Sequence, residues 1–163
     1  PAELRSTIVS TTIAFPNDER FAHEIDTGNL YARNICKYVL SEYERHFTAG
    51  DVLDVFPPMT IDHVMPQSRE GDWATLVSAE DHTRWLNTWA NLVPLSSPAN
   101  SSKGSRSWAE AKERLQRDTV FSTTSHLYHD YSEWTPETIS QRSELLQSWA
   151  LTRWPFYGEF VTL

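Results

Sequence analysis

Asp62 and His63 stand side by side within an apolar run, Thr60-Ile61-Asp62-His63-Val64-Met65-Pro66-Gln67. Both are poor strand formers and costly to bury without partners, so their place in such a run demands a reason. An imidazole titrates near pH ~6.5 and can take a proton from water at neutral pH. The neighbouring carboxylate offers an anionic oxygen to a hard cation. Two asparagines follow, Asn91 in Trp89-Ala90-Asn91-Leu92-Val93-Pro94-Leu95 and Asn100 in Ser97-Pro98-Ala99-Asn100-Ser101-Ser102-Lys103-Gly104. Hydrolysis of a phosphodiester needs a nucleophilic water, neutralisation of phosphoryl charge and help for the leaving oxygen. His63 suits the base. Asp62 and Asn100 supply one charged and one neutral oxygen, a ligand set for Mg²⁺ or Mn²⁺. Lys103, three residues after Asn100, can reach the same phosphate if a helical turn begins there. Asn91 has a different task. Its amide both donates and accepts, so it can tie down the backbone that aims His63. The expected catalytic set is therefore His63, Asn91 and Lys103, with Asp62 and Asn100 on the metal.

Each of these residues also has a plain structural use. A second acid–His pair, Asp81-His82, falls on a helix surface. Asparagine in a Pro/Ser loop commonly makes a turn, and Asn91 could simply open a strand. Lys103 could be a solvated lysine. His126 and His129 are spaced by three but lack a third ligand. The ordered set is much harder to reach by accident than any member alone.

The elements that must position these groups can be read from spacing and caps. Asn17-Asp18-Glu19 caps a short helix through about Ile25. Gly28-Asn29 opens a longer one, with Cys36, Val39, Leu40, Tyr43 and Phe47 at helical spacing and Gly50 at its end. Pro57-Pro58 punctuates the chain before a strand over 59–65. Gly71 to Leu76 reads as loop, and Ser78 with Asp81 caps a helix reaching Trp89. Leu92 to Leu95 is a short strand that Pro94 places at an edge. Ser96 to Ser107 is a Ser-rich loop. Ser107-Trp108-Ala109-Glu110 is a capping box opening a helix through about Asp118. Thr135-Pro136 starts the last helix, which runs to about Arg153 with Ile139, Leu146, Trp149 and Ala150 on one face. Arg142 lies near that face, where an acid from a packed helix would pair it. Few strands among many helices make this an α+β chain, a small ββα unit wrapped by helices.

At 163 residues the chain suits one domain. The expected division is a helical lead-in over 1–56, a core over 57–118 and a helical part over 119–163. The start at Pro1 without Met is read as a fragment of a longer protein. A mean hydropathy of −0.50 without a long apolar run excludes a membrane-spanning helix. The single cysteine, Cys36, excludes a disulfide framework and a Cys-rich zinc site, and fits a reducing cytoplasm. A net charge of −8 argues against holding nucleic acid by bulk attraction. The span 103–117 departs from that balance: five cations (Lys103, Arg106, Lys112, Arg114, Arg117) face two acids (Glu110, Glu113), a local +3. Lys103, Arg106 and Lys112 are the expected contacts to a DNA backbone.

With these residues in place, the chain resembles the C-terminal HNH-nuclease family of GmrSD-type modification-dependent restriction enzymes. That family's strand ends in an acid–His pair, an aliphatic residue and Pro-Gln-Ser. A Trp, a Gly-Asn-Leu segment, a further Asn, a Glu/Lys helix and a final helix opening on Trp-Thr or Trp-Ser follow. Here the matching residues are Asp62 to Ser68, Trp73, Ala90 to Leu95, Asn100, Glu110 to Lys112, and Trp134-Thr135 with Ile139, Arg142 and Leu146. Pro16 to Phe21 and the helix around Tyr38-Val39-Leu40 match its lead-in, so the likeness covers about residues 16–155. The nine-residue step from Asn91 to Asn100, with Lys103 after it, is also similar to HNH domains of RNA-guided nucleases. Ala90 departs from the family's Gly, and Pro94 from a small polar residue. The resemblance implies metal at Asp62 and Asn100, water activation by His63 and loop orientation by Asn91. It also implies a partner domain that senses modified DNA, such as glucosylated hydroxymethylcytosine or a phosphorothioate backbone, and hydrolyses a nucleotide. No Walker-type loop is present in this chain.

The expected function is a metal-dependent HNH endonuclease domain that nicks double-stranded DNA within a prokaryotic anti-phage restriction protein in the cytoplasm. A non-catalytic DNA-binding or scaffold module on the same frame, and an RNA-directed nuclease, are the alternatives.

Overall fold

The computed structural model describes residues 17–47 and 58–155, apart from the side chains of residues 117 and 118. The expected helix stop at Gly50, the turn residue Pro57 and the side chain of Arg117 lie outside the described residues.

Helix α1 (Asp18–Thr27) begins where the Asn17 side chain accepts the Arg20 N–H at 2.9 Å, with Asp18 and Glu19 at its positive end. It stops at Gly28, whose N–H donates to the Glu24 carbonyl. A Cβ at Gly28 would stand 2.3 Å from that oxygen, so only glycine fits. The next helix starts later than Gly28-Asn29. The Asn29 side chain accepts the Ala32 N–H at 3.0 Å and holds turns through residue 35, and α2 runs Cys36–Phe47. It buries Cys36, Val39 and Leu40.

Strand β1 (Thr60–His63) pairs antiparallel with β2 (Leu92–Leu95), setting Asp62 opposite Val93 and His63 opposite Leu92. The strand expected over 59–65 is shorter because Asn91 takes over its end: Val64 N–H donates to the Asn91 carbonyl and Met65 N–H to its side chain. Between the strands, the expected loop contains a helical turn, α3 (Trp73–Leu76), anchored by buried Trp73. Helix α4 (Ala79–Trp85) is capped by Ser78 but ends four residues before Trp89, giving way to a 3₁₀ turn over Trp89–Asn91.

The expected Ser96–Ser107 loop is largely a helix, α5 (Ser97–Lys103). Ser96 caps it, Pro98 fits its first turn, and Gly104 at φ 53 ends it in a conformation that glycine adopts without strain. Helix α6 (Trp108–Asp118) opens on the Ser107/Glu110 capping box. Helix α7 (Ser122–Asp130) was not anticipated, and α8 (Pro136–Arg153) closes the described chain.

Eight α-helices and one two-stranded sheet among the described residues make an α+β fold. Its core is rich in tryptophan. Trp73, Trp85, Trp89 and Trp134 are buried, and the Trp108 ring stacks on Tyr128 at 4.8 Å and on Trp134 at 5.4 Å. Helix α8 buries Ile139, Leu146 and Ala150, with Trp149 half-buried beside them. The acid expected to pair Arg142 is replaced by carbonyls. Its guanidinium donates to the Ala90 and Leu92 oxygens, holding the entry to β2. Burial pulls the group down to about 10, which leaves it charged at neutral pH.

Candidate active site

The end of β1 opens into a cleft of about 340 Å³, lined by Asp62, His63, Gln67 and Asn100 among others. Neighbours on a strand point to opposite faces, and these two side chains do find different partners. They reach one cleft because the strand ends at His63.

The Asp62 carboxylate lies beneath α5. The Lys103 Nζ is 3.2 Å from Oδ2 and 3.3 Å from Oδ1, and it donates to the His63 carbonyl at 2.6 Å. Only the Oδ1 contact has hydrogen-bond geometry, so Oδ2 is buried within reach of an ammonium yet accepts no hydrogen bond. Burial pushes Asp62 up to about 6 against the pull of Lys103, so it is mostly ionised at neutral pH. Burial pushes the lysine down, and Asp62 opposes that shift.

His63 is 7% exposed. Its Nε2 lies 3.0 Å from the Asn87 Oδ1, its Nδ1 3.4 Å from the Gln67 Nε2, and the Tyr31 ring packs at 4.4 Å. Burial lowers the imidazole pKa, the Asn87 bond works against that, and the charges of Lys103 and His82 add to it. The ring is therefore neutral at pH 7, the form a base requires.

Asn100 projects from α5 with its amide nitrogen donating to the Thr60 hydroxyl at 3.0 Å and to the Ile61 carbonyl at 3.4 Å. That anchors one end of the amide to β1 and leaves its oxygen without a partner among the described residues. Asn91 is fully buried and lines no part of the cleft. Its oxygen accepts from Met65 N–H and from the Trp134 indole, and its nitrogen donates to the Met65 and Leu86 carbonyls. Three of these contacts hold the segment just after His63 against the turn just after α4, and the fourth ties both to Trp134 ahead of the last helix.

The family of GmrSD restriction endonucleases, C-terminal domain, matches residues 15–149, most of the chain. The chain belongs to that family. It is thus a nuclease-type domain of restriction endonucleases, with DNA as the substrate class. No curated protein and no solved structure matches it. In this GmrSD C-terminal domain the expected residues divide. Asp62, His63 and Asn100 meet at one cleft. Asn91 stands behind it.

Lys103 departs from the phosphate-facing position expected of it. It is 2% exposed, because the helix that replaces the Ser-rich loop turns residues 100 and 103 toward β1. Lys112 is half-buried and donates to the Tyr131 carbonyl, while Arg106 is exposed and braces the Ser102 and Lys103 carbonyls. His126 and His129 lie on α7, bonded to the Ser122 carbonyl and to Asp130. Among the described residues no three His, Cys, Asp or Glu side chains gather to hold a metal ion. His82 is tied to the Pro66 carbonyl at 2.9 Å rather than free on a helix surface. Asn87 and Tyr31 escaped the sequence reading, since neither sits in a run of unusual composition. Among the described residues no helix is long and apolar enough to cross a membrane.

Proposed function

We propose that this domain cuts double-stranded DNA by divalent-metal-dependent HNH chemistry on a ββα unit formed by β1, β2 and α5. The observation that carries this is the meeting of Asp62, His63 and Asn100 at one cleft, with the Asp62 Oδ2 buried beside the Lys103 ammonium at 3.2 Å and accepting no hydrogen bond. A carboxylate has about four acceptor sites and Lys103 fills few of them, so Asp62 retains oxygen lone pairs that a hard cation can use. One carboxylate and one amide oxygen, completed by water and phosphate oxygens, fit Mg²⁺ or Mn²⁺, so Asp62 and Asn100 would hold the ion. When bound, it would supply charge neutralisation at the phosphoryl group and at the leaving oxygen. His63 takes the proton of the attacking water. Lys103 keeps Asp62 ionised and in place, and Asn91 holds the backbone that carries His63; both are positioning residues. Arg106 offers its charge to the DNA backbone.

On this view residues 1–163 act as one domain with its core in 57–118. One such site cuts one strand per visit, so nicking is the elementary event. The parent protein would be a modification-dependent restriction enzyme of the cytoplasm whose separate sensor domain hydrolyses a nucleotide. Incubation of supercoiled plasmid with the domain tests the chemistry. Open circles should accumulate with Mg²⁺ or Mn²⁺ and not with EDTA. Equal nicking in EDTA, or none with either ion on modified and unmodified plasmid, would reject the proposal. A parallel RNA substrate separates a DNA from an RNA nuclease.

A further inference from the structure

We infer that Asn87 sets the tautomer of His63 and thereby turns the lone pair of Nδ1 into the cleft. The inference rests on the nuclease reading only for the use to which that lone pair is put. An amide oxygen carries no hydrogen, so the ring nitrogen 3.0 Å from the Asn87 Oδ1 must be the donor, Nε2–H. A neutral imidazole has one N–H, which leaves Nδ1 as the acceptor. The other side of the ring agrees: the group 3.4 Å from Nδ1 is the Gln67 Nε2, a donor. Gln67 lines the cleft and Asn87 does not. The protonated nitrogen thus faces the protein, and the basic one faces the cleft, where an entering water would take the place of the long 3.4 Å Gln67 contact.

Asn87 is itself held. Its carbonyl accepts the Tyr31 N–H at 3.3 Å, and the Tyr31 ring then packs on the imidazole at 4.4 Å. The preceding carbonyl, that of Leu86, accepts from the Asn91 side chain at 3.0 Å. Asn91 therefore reaches the base by two routes, through Met65 beyond His63 and through Leu86 before Asn87. Asn87 acts on the reaction through His63, which makes it a positioning residue.

The test is the protonation pattern of the ring in the full chain labelled with ¹⁵N-histidine, at a pH where His63 is neutral, without metal or DNA. Long-range ¹H–¹⁵N spectra, assigned by the signals lost in His63→Ala, should show a protonated Nε2 and a bare Nδ1. Asn87→Leu should shift the pattern toward Nδ1–H, while Asn87→Asp, whose carboxylate still accepts, should keep it. In cleavage, Asn87→Leu should lower kcat by about tenfold or more at nearly unchanged KM, with Asn87→Asp recovering most of it. A wild-type ring protonated at Nδ1 overturns the inference, as does an Asn87→Leu protein with wild-type spectrum and kcat. Should Asn87→Leu fail to fold, the wild-type and Asn87→Asp spectra still decide. A wild-type protein that shows the expected spectrum but cleaves nothing supports the tautomer assignment and counts against the nuclease reading instead.

Discussion

His63 is held at both ring nitrogens and across one face, so its position is determined by Asn87, Gln67 and Tyr31 together. On the proposed reading a group so constrained starts the reaction in place, with Gln67 yielding Nδ1 to the attacking water. His63→Ala should lower plasmid cleavage by ~10²–10⁴-fold while the circular dichroism spectrum stays native. Retention of more than half the wild-type rate would remove His63 from that role. Cys36 illustrates the opposite kind of residue. It is buried on α2, and burial pushes its thiol from 9.0 up to about 11. Its thiolate is suppressed, so a disulfide reagent at pH 8 should modify it only on unfolding, a contrast visible by absorbance with and without urea. The sign for stability follows from the raised value. The thiol's contribution is complete below pH 9.0 and is lost as pH rises through about 11, because the unfolded chain ionises first.

At the scale of elements, the helix missed by sequence has the most instructive cause. The residue before α7 is Phe121, which cannot cap, so no local signal marks the start. The cap comes from α2: the Glu44 carboxylate, 2% exposed, accepts the N–H groups of Ser122 and Thr123 at 2.6 and 2.9 Å and the Thr123 hydroxyl besides. A carboxylate at a helix N-terminus also meets the positive end of the dipole. Glu44→Ala would strand those donors and should cost about 2–3 kcal/mol in urea unfolding, with Glu44→Gln costing less. A loss below about half a kcal/mol would show that water replaces the cap. Helix α5 makes the complementary point. Its cap, Pro98 and Gly104 were all visible in sequence, but a Ser-rich run reads equally well as a loop until the segment has β1 to lie against.

For the whole molecule the question is how a chain of net charge −8 approaches DNA. The basic span is real in sequence, yet folding withdraws part of it. Lys103 serves Asp62, and Lys112 serves the Tyr131 carbonyl. Arg106 stays exposed. Arg106→Glu should weaken binding about equally for all sequences and flatten the dependence of log K on log salt by roughly one unit. Lys103→Glu should act differently, setting a second carboxylate against Asp62 and costing on the order of 3–5 kcal/mol of stability before any effect on DNA. Salt titrations of binding and urea melts of the two variants separate these effects. Tight, sequence-selective binding by this domain, unmoved by the Arg106 change, would place DNA reading in this fold and remove the need for the proposed sensor domain.

The chain by itself determined what depends on near neighbours. The Asn17, Ser78, Ser107 and Thr135 caps, the two strands, and the Asp62, His63, Asn91 and Asn100 set were legible, because caps act within three residues and an acid–His pair in an apolar run is locally costly. The family was legible for the same reason, since its motif is a string of such local oddities in order. Tertiary structure decided whatever needs a partner far along the chain. Asn87 reaches His63 across 24 residues, Lys103 reaches Asp62 across 41, and Glu44 caps a helix 78 residues away. Arg142 found carbonyls where an acid was expected, 50 and 52 positions distant. Charge and residue type mark a side chain as needing a partner. Which partner it obtains, and whether a lysine meets phosphate or a buried carboxylate, is settled only when packing removes the water between them.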